Sequence, residues 1–183
     1  KVAAVRKAEE AAAPGSTVLS EAVARNLFKL MAIKDEYEVG RLYSDGSFIR
    51  QLNGQFQDYD RLEFHLAPPI LGRKDASGKP RKSVFGPRMM TGFKVLASLR
   101  RLRGTPFDIF GYTAERRMER RLLAEYEADI ATIVSKLSAD RLDAAVALAS
   151  VPALIRGYGH VKAAAAERAA GERTRLLERF STE

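Results

Sequence analysis

Apolar residues recur at intervals of three and four along most of the 183-residue chain, the spacing of helices that each bury one face. The pattern predicts helices over residues 2–13, 18–43, 48–56, 87–97, 113–137, 140–150 and 160–180. Pro14, the pair Asp45-Gly46 and Pro152 mark the ends of three of these segments. About two-thirds of the residues are therefore expected to be helical.

A different pattern occupies residues 61–66, where apolar and polar side chains alternate one by one. This period of two predicts a half-buried strand, with His65 on its polar side. Residues 72–82 are rich in glycine, proline and basic residues without any period, which predicts a surface loop between two short strands. The expected fold class is mainly α: a single helical domain over residues 1–183 with a small β element near residues 61–85, and with residues 1–15 as an N-terminal connecting helix.

The composition narrows the chemistry that the chain can perform. With 46% hydrophobic and 30% charged residues the chain can bury a core, and with no cysteine it cannot form disulfides, thiolate zinc sites or iron–sulfur ligation. The only histidines that could bind a metal or act in acid–base catalysis are His65 and His160. No apolar run reaches the ~20 residues needed to span a bilayer. Because the chain starts at Lys1 without a leader pattern, we expect a cytoplasmic piece of a larger protein with no membrane contact.

Positive charge is concentrated in one segment. The formal net charge is +8, but residues 72–121 hold 14 Lys or Arg and 4 Asp or Glu, whereas the rest of the chain is slightly acidic. Such a field attracts nucleic acids, anionic membranes, acidic proteins or phosphorylated ligands, or is simply a solvated face. A basic nucleic-acid-binding helical module is therefore an alternative function, although no helix-turn-helix or RNA-recognition signature accompanies the charge.

Residues 156–162, RGYGHVK, combine a glycine turn with basic groups at the start of a predicted helix. Gly157 and Gly159 allow the backbone to turn, and the helix that follows contributes partial positive charge at its first turn. Arg156, His160 and Lys162 add further positive or donor groups. The pattern predicts a contact with an anion or with a carboxylate of a neighbouring domain; a purely structural turn is the alternative.

Residues 115–121 place like charges one helical turn apart. Arg116 faces Arg120 and Arg117 faces Arg121 at a spacing of i, i+4, which costs a helix about 0.2 to 0.5 kcal/mol per pair. The arrangement indicates that some of these side chains pair with another segment or another chain. We therefore predict that Arg116, Arg117, Arg120 and Arg121 form a partner-facing basic surface.

Three further residues are candidate interdomain contacts: His65, Arg103 and Asp108. Arg103 and Asp108 flank an irregular connector, so they either pair with each other or fix that connector to a neighbouring helix. His65 has no acidic residue at ligand spacing beside it, which favours a solvent-facing or satisfied side chain. The acidic residues within 34–38 are interpreted as the wet or partner-facing side of their helix.

Five sequence blocks occur in a fixed order along most of the chain. They are LFKLMAIKDEYEVGRL at 27–42, FHLAPP at 64–69, LRGT at 102–105 with FD at 107–108, AERRMER at 114–120 and IRGYGHVK at 155–162. Together they resemble the C-terminal region of bacterial indolepyruvate:ferredoxin oxidoreductases, in the 2-oxoacid:ferredoxin oxidoreductase family. Ile33, Gly40 and Arg88 depart from the tyrosine, alanine and tryptophan that are usual there.

The resemblance implies a parent enzyme that oxidatively decarboxylates aryl 2-oxo acids such as indolepyruvate to acyl-CoA and reduces ferredoxin. It implies thiamine diphosphate, magnesium and iron–sulfur clusters as cofactors and coenzyme A as co-substrate, all held by other domains. For residues 1–183 it implies a non-catalytic C-terminal accessory domain without a cofactor or metal of its own. Its partners would be the catalytic domains of the same enzyme and ferredoxin or a similar acidic electron carrier.

Overall fold

The computed structural model describes residues 1–67 and 81–182, which form two compact units. Unit 1 comprises Lys1–Ile33 and Arg117–Glu183, and unit 2 comprises Lys34–Arg116. In the described part 69% of the residues are helical, in eight α-helices and two short 3₁₀ helices, and one small two-stranded sheet is present. The predicted mainly α class with a small β element is confirmed. Most of the surface loop predicted at 72–82 lies outside the described residues.

The helices and strands follow one another in a simple order. They are α1 (Val2–Ala12), α2 (Val18–Met31), α3 (Glu36–Ser44), α4 (Ser47–Gln55), β1 (Phe64–Leu66), β2 (Ser83–Phe85), α5 (Met89–Ser98), α6 (Ala114–Lys136), α7 (Leu142–Ser150) and α8 (Gly159–Thr182). Short 3₁₀ turns, Leu99–Leu102 and Val151–Leu154, extend α5 and α7. The helix predicted from Pro87 begins two residues later, at Met89, because Pro87 lies in a turn.

The prediction of one helix over residues 18–43 is wrong, because the chain breaks between Met31 and Glu36. Asp35 has an extended backbone and its carboxylate accepts a 2.9 Å hydrogen bond from the Tyr37 N–H, so Asp35 caps a new helix. Glu36 and Glu38 in the first turn of α3 favour this start through the helix dipole. The apolar spacing continues across the break, so periodicity alone did not reveal it.

The core of unit 1 is built by apolar faces of α1, α2, α6, α7 and α8. Its fully inaccessible side chains are Val5, Leu19, Val23, Ile133, Ala145, Ala149 and Phe180. The side chains of Ala165, Ala166 and Ala169 in α8 are also buried, and such small residues let neighbouring helices approach closely. Helix α1, predicted as a connecting helix, is thus part of this core through Val5.

A buried carboxylate joins α1 to α2. Glu9 is fully inaccessible, and its side chain accepts hydrogen bonds of 2.9 Å from the N–H groups of Leu19 and Ser20 and of 2.8 Å from the Ser16 hydroxyl. These N–H groups belong to the first turn of α2, which has no side-chain cap from Thr17. Glu9 therefore performs the capping from a neighbouring helix.

Unit 2 packs α3, α4 and α5 with a two-stranded antiparallel sheet. Four aromatic rings lie together within this unit, from Tyr43, Phe48, Phe64 and Phe93; the Tyr43 and Phe93 rings stack with centroids 4.7 Å apart. Gly40 is the point of closest approach between α3 and α5, since a Cβ there would lie 2.9 Å from the Phe93 carbonyl oxygen. Gly40 thus has a packing role.

Candidate docking site

The turn at residues 156–162 has the geometry that its glycines predict. Gly157 and Gly159 have φ values of +89° and +56°, in the left-handed region that favours glycine. Helix α8 begins at Gly159, and a Cβ on Gly157 would lie 2.7 Å from Cγ1 of Val161. The sequence motif is therefore both a tight turn and the start of a helix.

The basic groups of this motif have different surroundings. Lys162 forms an ion pair of 2.6 Å with Glu119, whose side chain is only 4% exposed. Arg156 and His160 are exposed, and the Arg156 Nε donates a hydrogen bond of 3.4 Å to the Ala153 carbonyl oxygen. Lys162 is therefore engaged within unit 1, whereas Arg156 and His160 are accessible to a partner.

Sequence analysis missed a fourth basic residue here, Lys29 of α2. Its Nζ donates hydrogen bonds of 2.8 and 3.1 Å to the carbonyl oxygens of Pro152 and Ala153, just before the turn. Partial burial lowers the pKa of Lys29, and repulsion from Arg156 and Lys162 lowers it further. Because Lys29 lies 123 residues from Pro152 in sequence, no local pattern could have assigned it to this site.

Several large apolar side chains that neighbour these cations in sequence are exposed to solvent. They are Phe28 and Met31 of α2, Leu154 of the 3₁₀ turn, and Tyr158 and Val161 at the start of α8. Tyr158 and Phe28 are 77% and 73% exposed. We call these five residues, with Lys29, Arg156 and His160, the α8 surface. Apolar side chains grouped with cations on one exposed surface are typical of a protein interaction site.

The predicted basic surface of α6 is only partly present. Arg116 is 8% exposed and pairs with Glu36 at 3.4 Å, so the prediction that Arg116 faces a partner is wrong. Burial beside a carboxylate from α3 offsets the repulsion that the like-charge spacing predicts. Arg117, Arg120 and Arg121 are exposed, and Arg121 also pairs with Glu125 at 3.6 Å.

Arg103 and Asp108 do not pair with each other; both fix the connector to the start of α3. Arg103 forms an ion pair with Asp35, and Asp108 accepts a 3.1 Å hydrogen bond from the Tyr37 hydroxyl. The second of the two alternatives for these residues is therefore correct. Asp35 and the neighbouring Glu36 form contacts within unit 2, so the interpretation as a wet or partner-facing side is wrong for these two residues, whereas the Glu38 side chain is 44% exposed.

Asp108 also closes its own loop. Its carboxylate accepts hydrogen bonds of 2.9 Å from the Gly104 N–H and 3.2 Å from the Gly111 N–H. Burial alone would raise the pKa of Asp108, but these bonds and the one from Tyr37 outweigh it and lower the pKa. In turn, burial and the bond to Asp108 raise the pKa of Tyr37 to about 12.

His65 lies on the exposed side of β1, opposite Val84 of β2 in the antiparallel register. Within residues 1–67 and 81–182 no group of three or more His, Asp or Glu side chains is arranged to hold a metal ion. Over the same residues, no helix is long and apolar enough to cross a membrane.

Unit 2 contains a pocket of about 120 Å³ with a mostly apolar lining. Its lining includes Phe93 and Phe110, and its charged members are Lys34 and Glu36. Because Glu36 already pairs with Arg116, the pocket offers apolar packing and one cation rather than a pair of groups for acid–base chemistry.

Comparison with known proteins places the chain in one family. Residues 1–175 match the family of unknown function DUF6537, and the chain belongs to that family. No curated protein and no solved structure matches it.

Proposed function

We propose that the chain is the non-catalytic C-terminal accessory domain of a cytoplasmic indolepyruvate:ferredoxin oxidoreductase and that it docks on the catalytic domains of that enzyme. The five sequence blocks support this assignment, since they resemble that region in order and cover most of the chain. Three of them, at 27–42, 102–108 and 114–120, are linked by the pairs Asp35–Arg103, Glu36–Arg116 and Tyr37–Asp108.

The α8 surface is the observation that carries the docking role. Its five exposed apolar side chains would lose water on docking, and burying such surface is the main driving force of protein association. Arg156 and His160, which are exposed on it, can donate to carboxylates of a neighbouring domain, in the charge-assisted bonds that fix orientation. The occupant that fits is an acidic, partly apolar surface of the catalytic domains.

Residues 1–183 would themselves catalyse no step of the reaction. Thiamine diphosphate, magnesium and the iron–sulfur clusters would be held by the catalytic domains, where coenzyme A also reacts. Because the chain contains no cysteine, we expect residues 1–183 alone to bind no iron and to show no turnover with indolepyruvate. A brown, cluster-loaded preparation of the chain would contradict this.

Limited trypsin digestion tests the docking role directly, because Arg156 lies in an exposed turn that trypsin can cut. Cleavage after Arg156 is compared between the chain alone and the complete enzyme by mass spectrometry. Lys136, the exposed last residue of α6, provides a reference site in the same unit. We expect cleavage after Arg156 to slow at least tenfold in the complete enzyme, while cleavage after Lys136 changes little.

Substitutions separate docking from a general change in stability. The double substitution Leu154→Ser with Tyr158→Ser in the complete enzyme should restore cleavage after Arg156. The matched control is Val18→Ser, because Val18 is similarly exposed but lies at the opposite end of α2 from Phe28 and Met31. If Arg156 is cut at the same rate in both settings, the α8 surface does not dock and the proposed role is wrong.

A further inference from the structure

The connector between α5 and α6 presents a second exposed surface, in unit 2, and contributes no exposed acidic residue of its own to that surface. Its exposed side chains are Arg100, Arg101, Arg103, Phe107, Ile109 and Tyr112, which we call the connector surface. Phe107 is 73% exposed, and Ile109 and Tyr112 are 57% and 60% exposed. The single acidic residue of this segment, Asp108, is 8% exposed and faces inward.

The connector is held in one shape by internal hydrogen bonds. Asp108 binds the N–H groups of Gly104 and Gly111 from the inside of the loop, and the Tyr112 hydroxyl donates a 3.0 Å bond to the Pro106 carbonyl oxygen. Gly104 supports the turn with a φ of +73°. Phe107 and Ile109 flank Asp108 and are exposed while it is buried, so the loop presents them outward from a fixed backbone. A preorganised loop loses little conformational entropy when it binds.

We propose that the connector surface is a docking site for the acidic surface of a separate protein. Arginine and aromatic side chains are the residues that most often dominate binding energy at protein interfaces, and three arginines on one loop complement an acidic partner. Six exposed residues are few beside the roughly 20–30 per side of a stable interface, so this contact is transient and guided by charge. The inference rests on the proposed function, which supplies such a partner in its acidic electron carrier.

The surroundings of the arginines favour a protein over a nucleic acid. Asp35 pairs with Arg103, and the carboxylate of Glu38 lies in the field of the same arginines. Hydrogen bonds from Arg41 chiefly lower the pKa of Glu38, and the charges of Arg103 and Arg100 add to that effect. The exposed aliphatic side chain of Ile109 cannot stack on bases as an aromatic ring does, but it can be buried against an apolar part of a protein surface.

Stopped-flow association with ferredoxin tests the inference, with the complete 183-residue chain and a single-stranded 20-nucleotide DNA as a second probe. One variant, Arg100→Glu with Arg101→Glu, reverses two charges of the connector surface. The matched control, Lys7→Glu with Arg168→Glu, makes the same change in net charge at exposed residues of unit 1. A third variant, Phe107→Ser with Ile109→Ser, removes apolar surface and keeps the charge.

At low salt we expect the connector charge reversal to slow ferredoxin association about tenfold and the control to slow it much less. The apolar variant should chiefly speed dissociation. The inference is overturned if ferredoxin does not bind, if the connector variants bind as tightly as the unmodified chain, or if only the DNA binds and loses affinity in these variants. The trypsin experiment is independent of these results, so loss of ferredoxin binding with Arg156 still protected would remove the connector site and leave the proposed function standing.

Discussion

The hydroxyl of Tyr37 donates a 3.1 Å hydrogen bond to the carboxylate of Asp108, which lies 71 residues further along the chain. Both side chains are buried, at 2% and 8% exposure for the whole residues. Burial alone would raise the pKa of Asp108, but hydrogen bonds from Gly104, Gly111 and Tyr37 lower it below its ordinary value, while burial and the bond to Asp108 raise the pKa of Tyr37 to about 12. The charged state of Asp108 and the shape of the connector are therefore coupled to the position of α3.

Replacing Tyr37 by Phe should measure this coupling. The variant keeps the ring that packs edge-on against Phe110 but removes a hydrogen bond to a charged group, so the free energy of unfolding should fall by about 1.5–3 kcal/mol. Denaturant unfolding gives the value. Tyr112→Phe is the control, because its exposed hydroxyl donates to a carbonyl and its loss should cost no more than about 0.5 kcal/mol. Equal losses of unfolding free energy in the two variants would show that the buried Tyr37 bond stabilises the protein no more than the exposed Tyr112 bond does.

Gly40→Ala should destabilise the protein although alanine favours helices. Alanine in a helix is worth about 1 kcal/mol over glycine, but a Cβ 2.9 Å from the Phe93 carbonyl oxygen overpacks the contact between α3 and α5 at a cost of about 1–3 kcal/mol. We expect a net loss of up to about 2 kcal/mol in thermal or denaturant unfolding. Gly54→Ala in α4 is the matched control, since its Cβ would meet nothing within 4 Å and should stabilise. The packing argument fails if the two variants shift stability in the same direction.

Glu9 should make stability depend on pH in the acid range. Burial alone would raise the pKa of Glu9, but hydrogen bonds from Ser20, Leu19 and Ser16 outweigh it and lower the pKa below the ordinary 4.5. A lowered folded-state pKa gives stabilisation that is present above about pH 5 and is lost as the pH falls through the folded-state pKa. The free energy of unfolding should therefore decrease below pH 5.

The contribution of Glu9 to this pH dependence is read from Glu9→Gln. At pH 7 the variant should be less stable by about 1–3 kcal/mol, because two buried N–H groups lose a charged acceptor. The difference from the unmodified chain should shrink towards pH 2, where the carboxyl is protonated. Glu167→Gln, at an exposed position of α8, serves as control and should leave the pH profile unchanged. A difference that stays constant from pH 7 to pH 2 would contradict the role of the charge.

The buried ion pair between α6 and α8 should matter more than an exposed one. Arg173 binds both carboxylate oxygens of Asp129 at 2.6 and 2.7 Å, and the Asp129 side chain is 5% exposed. Arg173→Met leaves that carboxylate without its partner and should cost about 3–5 kcal/mol in denaturant unfolding. Arg175→Met breaks the exposed pair with Glu172 and should cost much less, because solvent screens that pair. Similar costs for the two variants would show that Asp129 is satisfied without Arg173.

Periodicity predicted most helices because each of them buries one face. It failed at residues 32–35, where the apolar spacing continues while the backbone leaves the helix to let Asp35 cap α3. The capping side chain carries the useful signal there, an aspartate followed by two glutamates in three residues. The role of Glu9 left no such signal, because its partners lie on another helix and an acidic residue in an alanine-rich segment normally faces water.

The sequence predicted the type of contact that each candidate site makes better than it predicted which residues belong to the site. Like charges at i, i+4 correctly indicated that an arginine of 116–121 pairs with another segment, but Glu36 lies 80 residues from Arg116 and could not be identified from the sequence. Gly157 and Gly159 correctly predicted the turn, because left-handed backbone geometry depends on the local residue type. Lys29 is part of the α8 surface because tertiary packing brings α2 against the turn at Pro152 and Ala153. The spacing of residues within one segment cannot predict such a contact.

The discontinuity of unit 1 has a consequence for the order in which the protein can fold on the ribosome. Residues 1–33 emerge first, but α6, α7 and α8, which cover their apolar side chains, follow only after the whole of unit 2. At synthesis rates of about 5–20 residues per second, the intervening stretch of about 80 residues imposes a delay of ~4–16 s. During that interval Leu19 and Val23 lack their later partners. The Glu9 contact closes a loop of only about ten residues and is a local interaction that can hold α1 against α2. Nascent chains arrested before residue 117 should therefore recruit chaperones, and Glu9 helps to limit the surface that they meet.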